Sequence, residues 1–129
     1  SGAGTSKKKR TTLKEVIAKL NEAFGENVSP VDGARTVNAI VDSVSADDVS
    51  RIQIRNSTNS REAIIADGRL ENIIKVAALS LNNELGQLAT QILDDPQAIR
   101  PIAEMIYDLV NKKKHLDVEE ISEYANNKE

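Results

Sequence analysis

A chain of 129 residues is long enough for one hydrophobic core and too short for two independent ones, so we expect a single domain. With no Cys and one His, the chain offers no disulfide, no thiolate nucleophile and no His-based metal cluster. Two Tyr, one Phe and no Trp leave aliphatic side chains to fill the core, which is typical of helices packed on helices.

The N-terminus and the charge balance set further expectations. No apolar run approaches the roughly 20 residues that cross a bilayer, and no apolar signal core is present, so we expect a cytoplasmic protein without membrane contact. Residues 1–6 are small and are interpreted as an artificial linker, which leaves 7–129 as one domain. Without the first ten residues the formal net charge falls from −3 to −7, because the run 7–10 carries four positive charges. Any contact with nucleic acid must then come from a local basic patch.

The first half of the chain predicts three helices. Apolar residues over 13–24 recur at helical spacing, and Gly25 is expected to end this segment. The Ser-Pro pair at 29–30 is typical of a helix start, since Ser can cap and Pro fits the first helical position. Ser45 with Asp48 resembles a capping box with Asp in place of Glu, and predicts a short third helix.

The middle of the chain allows more than one interpretation. Apolar and polar residues alternate over 51–55, so a short strand is the alternative to the helix that we favour there. The polar stretch 56–60 is the most loop-like part of the chain. A short helical piece at 64–65 precedes a long helical pattern over 70–93, which Gly86 is expected to interrupt.

The C-terminal part predicts two further helices. The Asp-Pro pair at 95–96 is a cap-then-proline start, but Pro101 lies far enough inside to break or kink this helix, so the main helix is predicted from about Pro101 to Val110. Asp117 with Glu120 predicts the start of a last short helix. The expected fold is all-α, a compact irregular bundle of about six or seven helices around one aliphatic core.

The sequence carries none of the common catalytic signatures. No Gly-rich stretch ends in the Gly-Lys-Ser/Thr that cradles phosphates, so nucleotide hydrolysis by this chain alone is not expected. The acidic pairs at 47–48 and 94–95 lie at predicted helix starts, where carboxylates favour the positive end of the helix dipole; a metal or acid–base pair is the alternative. We therefore expect no catalytic residues, no metal and no cofactor, and a role in holding other macromolecules.

Basic residues gather around the polar loop, whereas 82–110 holds one Arg against five acids. Arg51 and Arg55 are four residues apart on a helix and would project together, as contact with phosphates requires. The alternative for the basic residues is solvation, or pairing with Glu62, Asp67 and Glu71. The lysine run before His115 fits either a solvated helix end or a phosphate contact. No aromatic residues interleave the arginines, which argues against base stacking on single strands. The candidates for DNA contact are Arg51, Arg55, Arg61, Arg69, Lys75, Lys112, Lys113 and Lys114.

The apolar stripes, including Met105 and Tyr107, are assigned to the core, with a partner groove as the alternative. Surplus apolar positions over 70–93 leave room for one exposed patch.

Several short stretches carry a resemblance to a known family: Leu13, Ile17, Leu20-Asn21, Phe24-Gly25, Leu70-Glu71-Asn72, Ile92-Leu93-Asp94-Asp95-Pro96 and the Glu104-to-Val110 helix. From about Lys7 onward the chain resembles the helical C-terminal region of the motor (restriction) subunit of type I restriction-modification enzymes, of type IC in particular. These stretches are helix-packing patterns rather than catalytic motifs, and no family residue of known role matches a position here.

The resemblance implies a role in a larger assembly. In that family the motor subunit contains a nuclease domain and a two-lobed DNA translocase that uses ATP and Mg²⁺, and it docks on methyltransferase and specificity subunits bound to DNA. This region would then be non-catalytic, would mediate assembly with those subunits, and would assist nonspecific binding of duplex DNA. The competing hypothesis is a structural helical lid on the rest of the motor subunit. A helix-turn-helix reader is disfavoured, because no helix presents a compact Arg/Asn/Gln set after a tight Gly-containing turn.

Overall fold

The computed structural model of the protein describes the backbone of residues 2–25, 28–56, 60–81 and 84–126, and the side chains of that part except for 2–12, 54 and 56. All regular structure in the described part is helical, which confirms the all-α prediction. The eight helices are α1 (Gly2–Phe24), α2 (Pro30–Ser43), α3 (Ala46–Asn56), α4 (Arg61–Ile65), α5 (Gly68–Leu79), α6 (Glu84–Leu93), α7 (Pro96–Lys112) and α8 (Val118–Asn126).

Helix α7 is the centre of the bundle. It packs against α1, α2, α3, α4, α5 and α6, while α8 packs on α2. Its side chains are buried almost continuously from Ala98 to Val110, and Met105 and Tyr107 lie in this core as predicted. Because aliphatic side chains from the surrounding helices meet along α7, the core is a single cluster.

The predicted helix starts are confirmed by their caps. The Ser29 hydroxyl accepts a hydrogen bond from the backbone N–H of Asp32 (3.1 Å), and Ser45 accepts one from that of Asp47 (3.1 Å). Asp95 accepts from the N–H of Gln97 (2.9 Å) at the start of α7. At the start of α8, the Asp117 carboxylate accepts from the N–H of Glu120 (3.1 Å). Each cap satisfies a backbone donor that lacks a partner within the helix.

Four further local predictions concern Gly25, residues 51–55, the start of α1 and the loop at 56–60. Gly25 follows α1 with a φ of 79°, the left-handed conformation expected of a glycine that ends a helix. Residues 51–55 are helical, so the strand alternative is wrong. Helix α1 begins at Gly2, earlier than the start predicted at Leu13, and it includes residues 2–6 of the segment interpreted as a linker. Of the predicted loop at 56–60, residues 57–59 lie outside the described residues.

The predicted interruption at Gly86 is wrong. The long apolar pattern does divide into two helices, α5 and α6, but α5 ends at Leu79 and Gly86 lies inside α6. A Cβ built on Gly86 would lie 2.0 Å from the carbonyl oxygen of Leu81. Glycine at 86 therefore allows the chain leaving α5 to pass close to α6, and this division adds one helix to the six or seven predicted.

The predicted break at Pro101 is also wrong. Helix α7 runs without interruption from Pro96, and Pro101 is buried within it. The hydrogen bond that Pro101 cannot donate would have gone to the carbonyl of Gln97, an exposed residue in the first turn. Packing of α7 against six other helices offsets the missing bond.

Candidate functional site

The most distinctive surface is an open groove between α3 and α5, with a volume of about 610 Å³. Three arginines surround it, two from α3 and one from the first turn of α5, together with two isoleucines, an aspartate and an asparagine. Its lining is Asp48, Arg51, Ile52, Arg55, Arg69, Asn72 and Ile73. We call this surface the arginine groove.

Helical spacing places these side chains together. On α3, positions 48, 51, 52 and 55 follow the i, i+3, i+4, i+7 pattern of one helix face. On α5, positions 69, 72 and 73 do the same, and the Asp67 carboxylate fixes the start of that helix by accepting from the backbone N–H of Arg69 (2.9 Å). Buried Ile52 and half-buried Ile73 form the apolar base of the groove.

The groove arginines are only weakly neutralised. The side chain of Arg51 is 81% exposed and its guanidinium lies 4.0 Å from the Asp48 carboxylate. The Arg69 guanidinium lies 3.6 Å from Asp67. Arg55 is exposed, and no ion pair links it to any residue within the described ranges. The Arg51–Asp48 pair is long and exposed, so it contributes little energy and leaves Arg51 able to meet an anionic ligand. Arg69 keeps its contact with Asp67, whose side chain is largely buried, and is the most constrained of the three.

Arg61 does not belong to the groove. It lies on α4 and binds Asp108 of α7 through two parallel hydrogen bonds of 2.8 Å, one from Nε and one from Nη2. Glu104 lies 3.9 Å from the same guanidinium and also 3.8 Å from the Lys19 ammonium. Arg61 therefore ties α4 to α7, next to α1. Its partners are acids of α7, not the neighbouring acids Glu62, Asp67 and Glu71 that the sequence offered.

The pKa values agree with that role. The hydrogen bond from Arg61 lowers the pKa of the Asp108 carboxyl, and the charges of Arg61, Lys112 and Lys19 lower it further. Burial acts in the opposite direction, because it favours the neutral acid, but its effect is smaller. The hydrogen bond to Asp108 raises the pKa of Arg61 above its ordinary value. Both groups are therefore held in their charged forms.

The candidate lysines lie apart from the arginine groove. Lys75 is exposed on α5 but does not line the groove. Lys112, Lys113 and Lys114 are exposed at the end of α7, where Lys113 adopts a left-handed φ of 54° and the N–H of Lys114 donates to the carbonyl of Leu109 (3.0 Å). Basic side chains at this end of a helix offset its negative dipole.

The loop after α7 is held against α2. His115 Nε2 lies 2.5 Å from Asp42 Oδ1, so His115 is paired rather than merely solvated. The Asn38 amide donates to the carbonyl of Leu116 (3.0 Å) and its oxygen accepts from the N–H of the same residue (2.8 Å). This reciprocal pair gives the loop a fixed attachment to the bundle.

Two apolar side chains that the sequence did not single out lie on the surface of α5. Val76 and Leu79 are 65% and 66% exposed, more than any other large apolar side chain in the part of the chain that the structure describes. They are the exposed patch for which the surplus apolar residues over 70–93 left room. The number of apolar residues over 70–93 indicated an exposed patch, but only the packing of α5 shows which residues form it.

The described acidic side chains form no group of three or more that could hold a metal ion, even with His included. The side chains concerned are those within 13–25, 28–53, 60–81 and 84–126. The acidic pairs lie in helix starts, as expected, with Asp47 and Asp48 in the first turn of α3. No helix among the described residues is long and apolar enough to span a membrane.

Comparison with known families, with curated proteins and with solved structures found no match to this chain.

Proposed function

We propose that this chain is a non-catalytic assembly domain that binds the phosphates of duplex DNA, without sequence preference, through the arginine groove. The observation that carries the proposal is the convergence of Arg51, Arg55 and Arg69 from two helices on one open groove. Exposed guanidinium groups are suited to phosphate oxygens, because each offers several N–H donors and remains charged at all ordinary pH values. The acidic body disfavours phosphate contact elsewhere on the domain.

We further propose that the parent of this domain is the motor subunit of a type I restriction-modification enzyme, and that the domain docks the motor on the methyltransferase and specificity subunits. This part depends on the sequence resemblance alone. In such an assembly, weak phosphate contacts would help to hold duplex DNA near the translocase of the parent, which itself requires ATP and Mg²⁺.

Salt-dependent DNA binding tests the groove. We expect a fluorescently labelled duplex to bind the wild-type protein with an affinity that falls steeply as salt rises. The slope of log K against log salt is negative, and replacing Arg51, Arg55 and Arg69 together by Ala should reduce its magnitude by about 0.9 for each phosphate that these side chains neutralise. Arg100→Ala is the control for a single charge, because Arg100 is an exposed arginine on α7 that does not line the groove, and Arg55→Ala alone is its matched counterpart in the groove. Equal slopes for the triple variant and the control would refute the assignment of the groove to DNA.

Assembly requires a separate test in the parent protein. A native gel shift of the methyltransferase–DNA complex is carried out with the full-length motor subunit and with the motor truncated before Lys7, at one salt concentration. Loss of the shift with a folded truncated motor would support docking by this domain. An unchanged shift would refute it.

The second candidate is a helical lid that covers the rest of the parent and has no external partner. The exposure of Val76 and Leu79 favours it, because a neighbouring domain of the same chain would remove both side chains from water. A lid predicts that truncation before Lys7 lowers the melting temperature of the motor and leaves the gel shift unchanged. The same experiment therefore separates the two functions.

A further inference from the structure

One outward strip of α5 combines positive charge and apolar surface. Positions 69, 72, 73, 76 and 79 share a face by helical spacing, while positions 70, 74, 77 and 78 on the opposite face are buried. The strip covers about 15 Å of helix. Its first turn carries Arg69 beside the arginines of α3, and its last turn carries Val76 and Leu79. We call it the α5 strip.

We infer that the α5 strip docks an amphipathic protein helix whose contact face is acidic at one end and apolar at the other. This inference rests on the proposed assembly role and names the chemistry of the partner. Carboxylates of such a helix would take the place of DNA phosphates over Arg69, Arg51 and Arg55, so the helix and duplex DNA would compete for the arginine groove. The apolar side chains of the helix would cover Val76 and Leu79. Helices that dock in this way present side chains at i, i+3, i+4 and i+7, the same spacing as the strip itself.

Neither duplex DNA nor a wholly apolar partner complements the whole α5 strip. Duplex DNA satisfies the arginines but leaves Val76 and Leu79 in water, since a phosphate backbone offers apolar side chains little to pack against. A wholly apolar partner would cover Val76 and Leu79 but bury Arg69 and Arg55 without an anion, which is costly. Only a partner with both kinds of surface, in this order along the helix, satisfies the whole strip.

A second copy of the chain fits poorly for the same reason. If two α5 strips paired antiparallel about a two-fold axis, the cationic end around Arg69 would face the apolar end around Leu79 of the partner copy. If they paired in parallel, the arginines of both copies would face one another. Neither arrangement matches charge with charge, so the complementary occupant is a different polypeptide.

The probe for the test is a pair of synthetic helical peptides, each of about 15 residues so that it exceeds the length of the strip. In the patterned peptide one face carries Glu in its first turns and Leu in its last turns, and both chain directions are prepared. The scrambled peptide has the same composition with Glu and Leu distributed around the helix. Binding is measured by ¹H–¹⁵N NMR titration, which also shows which helices respond.

We expect one patterned peptide to bind at least about tenfold more tightly than the scrambled peptide, with shifts on α3 and α5. The double variant Val76→Ser/Leu79→Ser should lose that preference by a similar factor. Both side chains are exposed, so the variant should fold like the wild type. Asn21→Ser, at an exposed site on α1 with a comparable loss of side chain, is the matched control and should bind as the wild type does.

Three results would overturn the inference. Equal affinity for the patterned and scrambled peptides would show that the order of charged and apolar side chains does not matter for binding. The DNA-binding assay would still test the proposed function of the arginine groove independently. Full preference retained by the double variant would exclude Val76 and Leu79 from the interface. A wild-type dimer in sedimentation equilibrium that the double variant dissociates would make a second copy the occupant.

Discussion

Replacing Gly86 by Ala should destabilise the protein strongly, although the same change usually stabilises a helix. In an open helical site Gly→Ala gains up to about 1 kcal/mol, because Ala loses less backbone entropy on folding. At position 86 the new Cβ would lie 2.0 Å from the Leu81 carbonyl oxygen and 2.9 Å from its carbon. These are backbone atoms, so Leu81 and the start of α6 must move apart by more than about 1 Å to restore ordinary van der Waals distances.

The expected cost of that movement exceeds the helical gain. Overpacking in rigid surroundings costs about 1–3 kcal/mol and sometimes more, so we expect a net loss of about 2 kcal/mol in the free energy of unfolding. A domain of this size has roughly 5–15 kcal/mol in total, so the variant should stay folded. Urea denaturation followed by circular dichroism measures the difference, provided that the m value is unchanged.

Gly68→Ala is the matched control. Gly68 is the first residue of α5, and a Cβ built there meets no atom within 4 Å. The two substitutions change the unfolded chain in the same way, so a difference between them reports on the native contact at 86. We expect Gly68→Ala to stabilise by about 0.4–1 kcal/mol. If Gly86→Ala were as stable as Gly68→Ala, the close passage of the chain at Leu81 would be refuted.

Two further predictions concern ties to distant parts of the chain, and a third concerns a helix cap. Arg61→Ala should lower stability by roughly 1 kcal/mol at neutral pH, a figure discounted because both partners are about a third exposed. Because the pKa of Asp108 is lowered in the folded protein, this contribution to stability is present at neutral pH and is lost as pH falls through that pKa. The urea midpoints of wild type and variant should therefore converge in acid. A constant difference between the two midpoints down to the lowest pH would contradict this reasoning. Asn38→Ala should cost about 1–3 kcal/mol and speed amide exchange at Leu116, whereas unchanged exchange would show that the reciprocal pair does not hold the loop. Asp95→Ala should cost about 1 kcal/mol, measured by thermal unfolding, and an unaltered melting temperature would argue against its role as a cap.

The features predicted correctly from the sequence are those that neighbouring residues determine. Ser29, Asp95 and Asp117 cap helices because the donor that each satisfies lies two or three residues along the same chain. The stripe of buried residues in α7 follows from spacing alone, since one face of a regular helix must meet the core. Local hydrogen bonding and periodicity are therefore sufficient for fold class and most helix starts.

The two incorrect predictions share a cause that the sequence does not contain. Pro101 lowers the stability of an isolated helix, but α7 is surrounded by other helices, and their packing outweighs one missing hydrogen bond. Gly86 is a helix breaker by local preference, whereas in the fold its small size accommodates the carbonyl of Leu81. In both cases a contact between helices reverses the local preference, and such contacts are known only once the fold is known.

The candidate site illustrates the same limit for charge. The five arginines and lysines singled out between positions 51 and 75 are equivalent in sequence, yet their neighbours in space give them different roles. Arg61 meets two carboxylates of α7 and is used for the fold, whereas Arg55 faces an open groove with no ion pair to any described residue. An arginine bound by two parallel hydrogen bonds is costly to withdraw from its partner, so it is poorly suited to exchange that partner for a phosphate or an external carboxylate. The cations available for a ligand are those without a short ion pair. Arg55 has no ion pair to any described residue, Arg51 lies 4.0 Å from the Asp48 carboxylate, and Arg69 lies 3.6 Å from Asp67. On this ground we assign binding to these three arginines.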